Sequence, residues 1–313
     1  MTRSLVSILL LLACGGFGLP ATAEEGPTRE ELRSAQRSTE WLLPNHDYAG
    51  QRFVDLEQIT RDNAGTLRPV CTYDFEDTSR FSAAPLVYRR LMYVTSGDST
   101  IALDAATCAL RWRHEWRASG APAQGGARTV TNAFKSGGGS LQDGKLVRAT
   151  SDGHLIALDA KTGQLVWRRQ IADAGSYEFV TMAPLIYEDL IIAGIGISEF
   201  AVRGWIGAFR LSDGEPLWRF NTVPSDDEPG AQSWSDRDAR RRGGGGVWVT
   251  PTIDSDTGRL YAAVGNPVPD LYGDVREGDN LYTGRAACSR VEDWQTGVVQ
   301  AVRAARPARL GPH

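Results

Sequence analysis

The sequence predicts an all-β protein built from repeated four-stranded sheets, and three observations predict it. The first is a repeat, in which an apolar alternating strand leads to a short polar turn and then to a strand that carries a tryptophan. The copies occupy residues 101–112, 156–167 and 206–218 and end at Trp112, Trp167 and Trp218. These tryptophans lie 55 and 51 residues apart, a period typical of propeller blades.

The second observation is the turn inside each copy, and the third is the set of strands between copies. The turns contain Asp-x-x-Thr-Gly at residues 159–163 or Ser-Asp-Gly at residues 212–214, where glycine can adopt a positive φ. Further apolar strands at residues 85–88, 91–94 and 191–193 have turn-forming residues close by. Four strands make one blade, and a single blade cannot bury both of its faces. The blades therefore stack around an axis as a β-propeller, and we expect the repeated tryptophans to pack between blades rather than to bind a cofactor.

Composition is consistent with a globular, turn-rich chain and argues against nucleic-acid binding. The 313 residues are 42% hydrophobic and 23% charged, as in ordinary globular proteins. The 34 glycines and 9 tryptophans favour an all-β protein over a helical one. The formal net charge of -4 argues against a partner that is a nucleic acid, because such proteins normally present a basic face.

The first 23 residues have the pattern of an export signal. Arg3 precedes an apolar run over residues 5–13, and Ala21-Thr22-Ala23 forms a small-residue cleavage site. A second interpretation is a lipoprotein box at residues 11–14, which would leave Cys14 acylated and attach the protein to a membrane. Cleavage after Ala23 is favoured, because apolar residues continue past Cys14. Both interpretations place the mature protein outside the cytoplasm.

Cleavage of that signal would leave three cysteines. In an oxidising compartment, a disulfide between Cys71 and Cys108 is the natural expectation. The alternative is that both are buried free thiols. Cys288 is the third cysteine.

Segments outside the repeat carry a resemblance to a known family. The four segments are residues 41–59, which include Trp41 and Arg52; residues 194–204; residues 243–251 with 265–267; and residues 278–283. In this order they resemble the motifs of the quinoprotein alcohol dehydrogenases, which use pyrroloquinoline quinone (PQQ). The resemblance covers Trp41 to Thr283 and implies an eight-bladed β-propeller, of which residues 24–283 form about half.

The resemblance also implies a set of site residues. Trp248 lies under the quinone plane in the family, and Glu199 and Asn266 bind the calcium ion. The implied cofactor-binding residues are Trp248, Gly246, Thr150, Lys135, Gly196 and Glu199. Calcium prefers hard oxygen ligands such as a carboxylate and an amide oxygen, the indole offers a flat π face, and cationic and hydroxyl donors suit the carboxylates of PQQ.

Each of these residues also has a structural interpretation. The alternative for Glu199 is a solvated acid at a strand end, that for Asn266 is a turn residue, and that for Trp248 is a place in the core. For Lys135 and Thr150, the alternative to cofactor binding is a surface or structural role.

The function implied is oxidation of a small alcohol or polyol in the periplasm, with hydride transfer to PQQ and electron transfer to a cytochrome or a membrane quinone. In the family an aspartate acts as the base, and it lies in a segment that follows the part matched here. The alternative is a non-enzymatic propeller scaffold of the outer-membrane assembly type. Glu199, Trp248 and Asn266 favour the enzyme over the scaffold. A scaffold has no need of a carboxylate and an amide beside an indole.

Residues 284–313 depart from the pattern. A fourth repeat is due after Thr283, but the chain becomes rich in alanine, arginine and proline and resembles no strand. Read one nucleotide later, this stretch can encode Ala-Leu-Glu-x-Lys-Thr-Gly and then a segment similar to the one that carries the family's aspartate. We therefore expect a frameshift near Arg285 to Ala287. We also expect the chain as written to be inactive, and poorly soluble unless it finds a partner, because a partial propeller exposes strand edges and apolar faces.

Overall fold

Four antiparallel sheets of four strands make up the described part of the protein, which is a computed structural model. It describes residues 26–75, 82–97, 99–117, 137–196, 201–296 and 299–302. The strands are β1 Leu86–Tyr88, β2 Leu91–Ser96, β3 Ser99–Asp104, β4 Leu110–Glu115, β5 Gly139–Gln142, β6 Lys145–Ala149, β7 His154–Asp159, β8 Leu165–Gln170, β9 Leu185–Tyr187, β10 Leu190–Gly194, β11 Trp205–Arg210, β12 Pro216–Asn221, β13 Thr252–Asp254, β14 Arg259–Val264, β15 Arg285–Arg290 and β16 Gln300–Val302. We number the sheets blades 1 to 4 in chain order.

Each blade is an up-and-down meander whose strands pair in chain order. The third strand of blades 1 to 3 comes from the apolar part of the repeat, and the fourth strand carries its tryptophan. A short polar turn joins the two. In blade 2, Asp159 Oδ1 accepts hydrogen bonds from the backbone N–H groups of Lys161 and Thr162 at 3.1 and 2.8 Å. The predicted partial β-propeller is confirmed.

The repeated tryptophans pack between blades, as predicted. Trp112 Nε1 of blade 1 donates to the carbonyl oxygen of Ala160 in blade 2 at 2.9 Å. Trp167 Nε1 of blade 2 donates to the carbonyl oxygen of Leu211 in blade 3 at 3.1 Å. The same side chain therefore fastens blade 1 to the turn of blade 2 and blade 2 to the turn of blade 3.

The core lies between the blades. Strands β6, β7 and β10 are buried on both of their faces over most of their length, because each is covered by a blade on either side. Ile156, Leu158 and Ile192 are fully buried. A continuous run of apolar residues, rather than strict alternation, is the pattern that such strands require.

Antiparallel pairing brings the candidate site residues to one end of the blades. In every blade the first and third strands begin at this end and the second and fourth strands end there. Thr150 directly follows a second strand, Gly196 and Asn266 each lie two residues after one, and Gly246 and Trp248 precede a first strand. We call this the upper end; the polar turns between third and fourth strands lie at the opposite end.

The chain from Gly26 to Gly50 crosses the lower end and contacts all four blades. The N–H groups of Val87, Asp143 and Ile253 donate to backbone carbonyl oxygens of this segment at 2.8, 3.1 and 2.8 Å. The hydroxyl of Tyr48 donates to the carbonyl oxygen of Ile186 in blade 3 at 2.9 Å. Leu43 in the same segment is fully buried. The segment thus acts as a brace across the inner strands.

Helices are few and short in the described residues. Helix α1, Arg29–Arg33, begins with a capping box of Thr28 and Glu31. Helix α2, Arg237–Arg241, begins at Asp236, whose carboxylate accepts from the N–H of Ala239. Single 3₁₀ turns occupy Ala35–Arg37, Ala64–Thr66, Ala174–Ser176, Ala231–Ser233 and Glu292–Thr296. None of the helices in the described residues is long and apolar enough to cross a membrane, and the expected export signal lies outside those residues.

The cysteine pairing expected from the sequence is present. Cys71 and Cys108 form a disulfide that closes a separation of 37 residues, so the free-thiol alternative is wrong. Cys288 is buried and takes part in no disulfide.

The expectation that the strand pattern stops after Thr283 is wrong. Residues Arg285–Arg290 form β15, which pairs with β14 along its length, and Gln300–Val302 form β16. The small residues Ala286, Ala287 and Cys288 allow this, since they fit beside β14 without bulky side chains. Trp294 stacks on Trp218 with ring centroids 6.0 Å apart. Residues 303–313, the end of the stretch in which we expected a frameshift, lie outside the described residues.

Candidate functional site

The upper end of blades 3 and 4 is built on a run of four buried glycines, residues 243–246. Its backbone is hydrogen-bonded on both sides. The N–H of Gly244 donates to Val202 O at 2.9 Å, and the N–H of Gly245 donates to Asn266 O at 2.9 Å. The carbonyl oxygen of Gly246 accepts from the N–H of Gly265 at 2.8 Å. The run is therefore a fixed floor between two loops of different blades.

Only glycine fits the first three positions of this floor. Residues 243, 244 and 245 have φ values of 79°, 102° and 71°, a conformation that side-chain-bearing residues rarely adopt. A Cβ on Gly243 would lie 2.3 Å from Val202 O, and one on Gly244 would lie 2.6 Å from Asn266 O. The absence of side chains thus allows the glycine run to lie against the backbone of Val202 on one side and of Asn266 on the other.

Trp248 stands at the end of this floor and is exposed. All nine tryptophans lie in described residues, and Trp248 is the only one whose side chain is mainly open to solvent, at 58% exposure. Its neighbour Val247 is fully buried, and the N–H of Val247 donates to Ile195 O at 2.6 Å. The backbone under the indole is therefore fixed while the ring faces outward.

Asn266 lies beside the same glycine run. Its main-chain carbonyl is engaged by Gly245, but its exposed side chain makes no hydrogen bond to the described part of the chain. Asn266 follows β14, and Trp248 precedes β13 of the same blade. The structure therefore brings the Asn266 side chain and the Trp248 indole, neither of which has a partner among the described residues, to the same end of blade 4.

Gly196 borders the site from blade 3. Its N–H donates to Phe179 O at 2.8 Å. A Cβ at this position would lie 1.8 Å from the hydroxyl oxygen of Thr181, so no side chain is tolerated. Gly196 keeps the loop after β10 close to the chain that enters β9.

Thr150 belongs to a buried network in blade 2. Its hydroxyl donates to Asp152 Oδ1 at 2.5 Å, and the same oxygen accepts from the indole N–H of Trp116 at 3.0 Å. His154 Nδ1 lies 3.1 Å from that oxygen. Burial alone would raise the pKa of the Asp152 carboxyl, but the Thr150 hydrogen bond and the nearby His154 outweigh it and lower that pKa. The Thr150 proton thus points to Asp152 and is not free for an anionic ligand.

Two predicted site residues, Lys135 and Glu199, lie outside the described residues. Within the described ranges, no group of three or more His, Cys, Asp or Glu side chains is arranged to hold a metal ion. Asn266 is the one predicted metal ligand that the structure places.

Sequence reasoning missed a residue that supports the floor from below. Thr222, fully buried, donates its hydroxyl to Gly245 O at 2.6 Å. It follows β12 directly, but a threonine at a strand end is too common to mark such a role. Asp152 was also missed; its position two residues after Thr150 in a turn was the available signal.

Comparisons with known proteins show the family of this chain. The family described as "PQQ: Glucose/ethanol/alcohol dehydrogenase, beta-propeller domain" matches residues 41–288. The dehydrogenase subunit of a quinone-dependent alcohol dehydrogenase from Gluconacetobacter polyoxogenes is 35% identical over 303 residues, covering 88% of this chain and 40% of that protein. The quinohemoprotein alcohol dehydrogenase ADH IIB of Pseudomonas putida is 34% identical, with 88% and 41% covered.

Solved structures give the same result. The quinohemoprotein alcohol dehydrogenase of Comamonas testosteroni superposes with a TM-score of 0.76 at 29% identity, covering 88% of this chain and 43% of that one. A europium-containing methanol dehydrogenase gives a TM-score of 0.75 at 26% identity, with 83% and 48% covered. The chain therefore spans less than half the length of these relatives. It belongs to the family of PQQ-dependent glucose, ethanol and alcohol dehydrogenases, whose β-propeller it shares.

Proposed function

We propose that this chain forms part of a periplasmic dehydrogenase that oxidises an alcohol or polyol with PQQ and calcium. The observation that carries the proposal is the exposed indole of Trp248 on a rigid glycine floor, with the free Asn266 side chain beside it. Relatives of this chain are named as alcohol dehydrogenases that use a quinone.

The described residues fit a planar ligand. The backbone of residues 243–246 carries no side chain, and the Trp248 ring has no partner among the described residues. A flat tricyclic molecule placed on the indole would stack on its π face and cover apolar area that is now exposed to water. Trp248, Gly246 and Gly196 would hold the cofactor, and Lys135 and Thr150 would bind its carboxylates. For Thr150 this requires its hydroxyl to turn away from Asp152.

Calcium is proposed to bind between Glu199 and Asn266. The Asn266 side chain offers an amide oxygen, one of the hard ligands that calcium prefers. Bound there, the ion would act as a Lewis acid on the quinone. In this chain Asn266 is held in place through its main chain by Gly245, so its side chain can meet an ion without moving the floor.

The proposed compartment is the periplasm, and the proposed electron acceptor is a cytochrome or a membrane quinone. The sequence of the first 23 residues and the Cys71–Cys108 disulfide support an oxidising compartment. The name of the methanol dehydrogenase of Methylorubrum extorquens, which is 29% identical, includes cytochrome c. The aspartate base is proposed to lie in the part of the family fold that follows these blades.

The test is binding of PQQ to the purified chain, followed by tryptophan fluorescence with calcium and again with a calcium chelator. We expect saturable quenching that requires calcium, because the quinone covers Trp248. A scaffold without a cofactor would show no quenching in either condition, and this result would overturn the proposal.

We also propose that the chain as written is inactive, and that a frameshift near Arg285 to Ala287 accounts for its unusual tail. Independent sequencing of the genomic DNA across the codons for residues 282–313 tests this. An extra or missing base would restore a frame with the expected fourth repeat, and a confirmed frame would contradict the frameshift. A monodisperse monomer with quinone-dependent activity would contradict the proposed inactivity.

A further inference from the structure

The turn between the third and fourth strands of blade 1 differs from those of blades 2 and 3 at one position. In blades 2 and 3 this position is Gly163 or Gly214, which has a positive φ and closes the turn with an N–H hydrogen bond of 2.8 Å. In blade 1 it is Cys108, whose φ is 55° and whose N–H donates to Asp104 O at 2.9 Å. A residue with a side chain rarely adopts this conformation, so a specific role of the Cys108 side chain is expected.

The glycines of blades 2 and 3 leave room for a tryptophan. Trp112 packs over Gly163 and Trp167 packs over Gly214, and a Cβ on either glycine would collide with the ring. We call this arrangement the tryptophan–glycine contact. Cys108 carries a Cβ, so a tryptophan cannot occupy the same place on the turn of blade 1. A smaller side chain has to take that place.

Cys71 takes that place, and the residues around it follow the pattern of a fourth strand. Cys71 is bonded to Cys108. The sequence Pro69-Val70-Cys71 corresponds to Pro216-Leu217-Trp218, which begins the fourth strand of blade 3. Residues 69–74 also share the exposure pattern of β8, with two exposed residues and then half-buried and exposed residues in alternation. Cys71 therefore stands where a fourth strand carries its tryptophan.

The residues that follow Cys71 cover one face of blade 1. Tyr73 and Phe75 pack together with their ring centroids 5.4 Å apart. Ala102 of β3 points towards the core shared with blade 2. Side chains of β2 and β3 that point the opposite way form a separate buried cluster, on which Tyr73 and Phe75 lie: Val94, Ile101 and Leu103. Residues 71–75 thus cover the face of blade 1 that points away from blade 2.

The attachment of this segment differs from that of a true fourth strand. In blades 1 to 3 the fourth strand is hydrogen-bonded to the third strand. No backbone hydrogen bond within the described ranges joins residues 69–73 to a strand of blade 1. The disulfide and side-chain contacts, among them those of Tyr73 and Phe75, therefore hold the segment. Both cysteines are half-buried, so a reductant in solution can reach their sulfur atoms.

We propose that the Cys71–Cys108 disulfide is a redox-sensitive latch that replaces the tryptophan–glycine contact at blade 1. While the latch is closed, residues 71–75 cover the apolar face of the blade. A dithiol opens it by supplying two electrons and two protons: the S–S bond breaks, both cysteines become thiols, and the dithiol becomes a disulfide. Release of the segment then uncovers the buried cluster beneath it.

Limited digestion of the purified chain with chymotrypsin, with and without dithiothreitol, tests the latch. Chymotrypsin cleaves after aromatic residues, so mass spectrometry can follow cleavage after Tyr73 and Phe75. We expect cleavage at these two residues to become about tenfold faster after reduction, because local opening controls the proteolysis of a folded chain.

Tyr187 is the internal control, because it is buried in β9 of blade 3 and cleavage after it should stay slow in both conditions. Equal cleavage rates at Tyr73 and Phe75 with and without the dithiol would overturn the proposal. So would an equal acceleration at Tyr187, because reduction would then unfold the whole chain rather than open a latch.

Two double variants test whether the disulfide replaces the tryptophan–glycine contact. Cys71→Trp with Cys108→Gly rebuilds that contact without a covalent bond, and its cleavage at Tyr73 and Phe75 should be slow with or without the dithiol. Cys71→Ala with Cys108→Ala is the matched control, since it has neither the contact nor the bond, and its cleavage should be fast in both conditions. Fast cleavage of the first variant would overturn the replacement, and slow cleavage of the second would overturn the latch.

Discussion

Gly163 of blade 2 lies directly under the ring of Trp112 from blade 1. A Cβ on Gly163 would stand 2.5 Å from Cε3 of that ring, and the residue has a φ of 71°. Gly214 and Trp167 repeat this relationship one blade later, at 2.7 Å from Cζ3. In these two turns glycine is thus required for two reasons. The turn needs a positive φ, and any side chain would collide with the tryptophan of the preceding blade.

Because Gly163 meets both requirements, we expect Gly163→Ala to destabilise the protein strongly. We expect a loss of about 1–3 kcal/mol in the free energy of unfolding, from backbone strain and displacement of the indole. Urea denaturation measures it. The control is Gly65→Ala, because no atom lies within 4 Å of the position of its Cβ and its φ is not positive. Equal losses in both variants would contradict the packing role of Gly163.

The disulfide predicts a dependence on reduction. Replacing both Cys71 and Cys108 by alanine should lower the free energy of unfolding by about 2–4 kcal/mol, because the unfolded chain loses a cross-link over 37 residues. Thermal unfolding with and without a reductant measures this. The reductant should lower the Tm of the wild type and leave that of the double variant unchanged. A Tm drop of equal size in both proteins would show that the effect does not come from this bond.

Asp104 predicts a loss of stability in acid. Arg111 donates to Asp104 Oδ2 at 2.8 Å, and with backbone N–H donors it lowers the pKa of that carboxyl from 3.8 to about 2. Because the folded state holds the ionised form, the stabilisation is complete above pH 4 and is lost as the pH falls towards 2.

Asp104→Asn should therefore lower the stability at neutral pH and flatten the pH profile between 4 and 2. Denaturant unfolding at a series of pH values provides the measurement. Asp62→Asn is the control, since exposed Asp62 makes no ion pair with the described part of the chain. An unchanged acid profile in Asp104→Asn would refute the assignment.

We expect the hydrogen bond from Thr222 to Gly245 O to support both the stability of the protein and the binding of PQQ. Thr222→Val keeps the shape of the side chain but removes the hydrogen bond to Gly245 O. We expect a loss of about 1–3 kcal/mol in the free energy of unfolding, because a buried carbonyl is left without its partner, and weaker binding of PQQ. Thr222→Ser retains the hydroxyl and should restore both. Failure of serine to restore them would mean that only the methyl group of Thr222 matters.

The fold could be predicted from the sequence because its information is local and repeated. Trp112, Trp167 and Trp218 mark fourth strands at spacings of 55 and 51 residues, and the turn before each carries an aspartate that accepts backbone hydrogen bonds. The brace formed by residues 26–50 could not be predicted, since it has no repeat and its contacts lie far away in the sequence. The strand Arg285–Arg290 was also missed, because small residues with low strand propensity are placed there by pairing with β14.

The candidate site was predicted in part. Trp248, Gly246, Gly196 and Asn266 fall together at the upper end, since their places before first strands and after second strands follow from the blade pattern. The partners of Thr150 were not predictable, because the indole N–H of Trp116 meets Asp152 only after blades 1 and 2 have packed. Likewise, no sequence pattern places the Thr222 hydroxyl beneath Gly245.

The central claim is that Trp248 forms the floor of a PQQ site, and equilibrium dialysis of PQQ against Trp248→Ala in calcium tests it most directly. Tyr272→Ala is the control, an exposed aromatic residue in the loop that follows β14. The stacking account predicts at least tenfold weaker binding for Trp248→Ala, corresponding to about 1.4 kcal/mol, and wild-type binding for Tyr272→Ala. Binding by Trp248→Ala that equals the wild type would contradict the account.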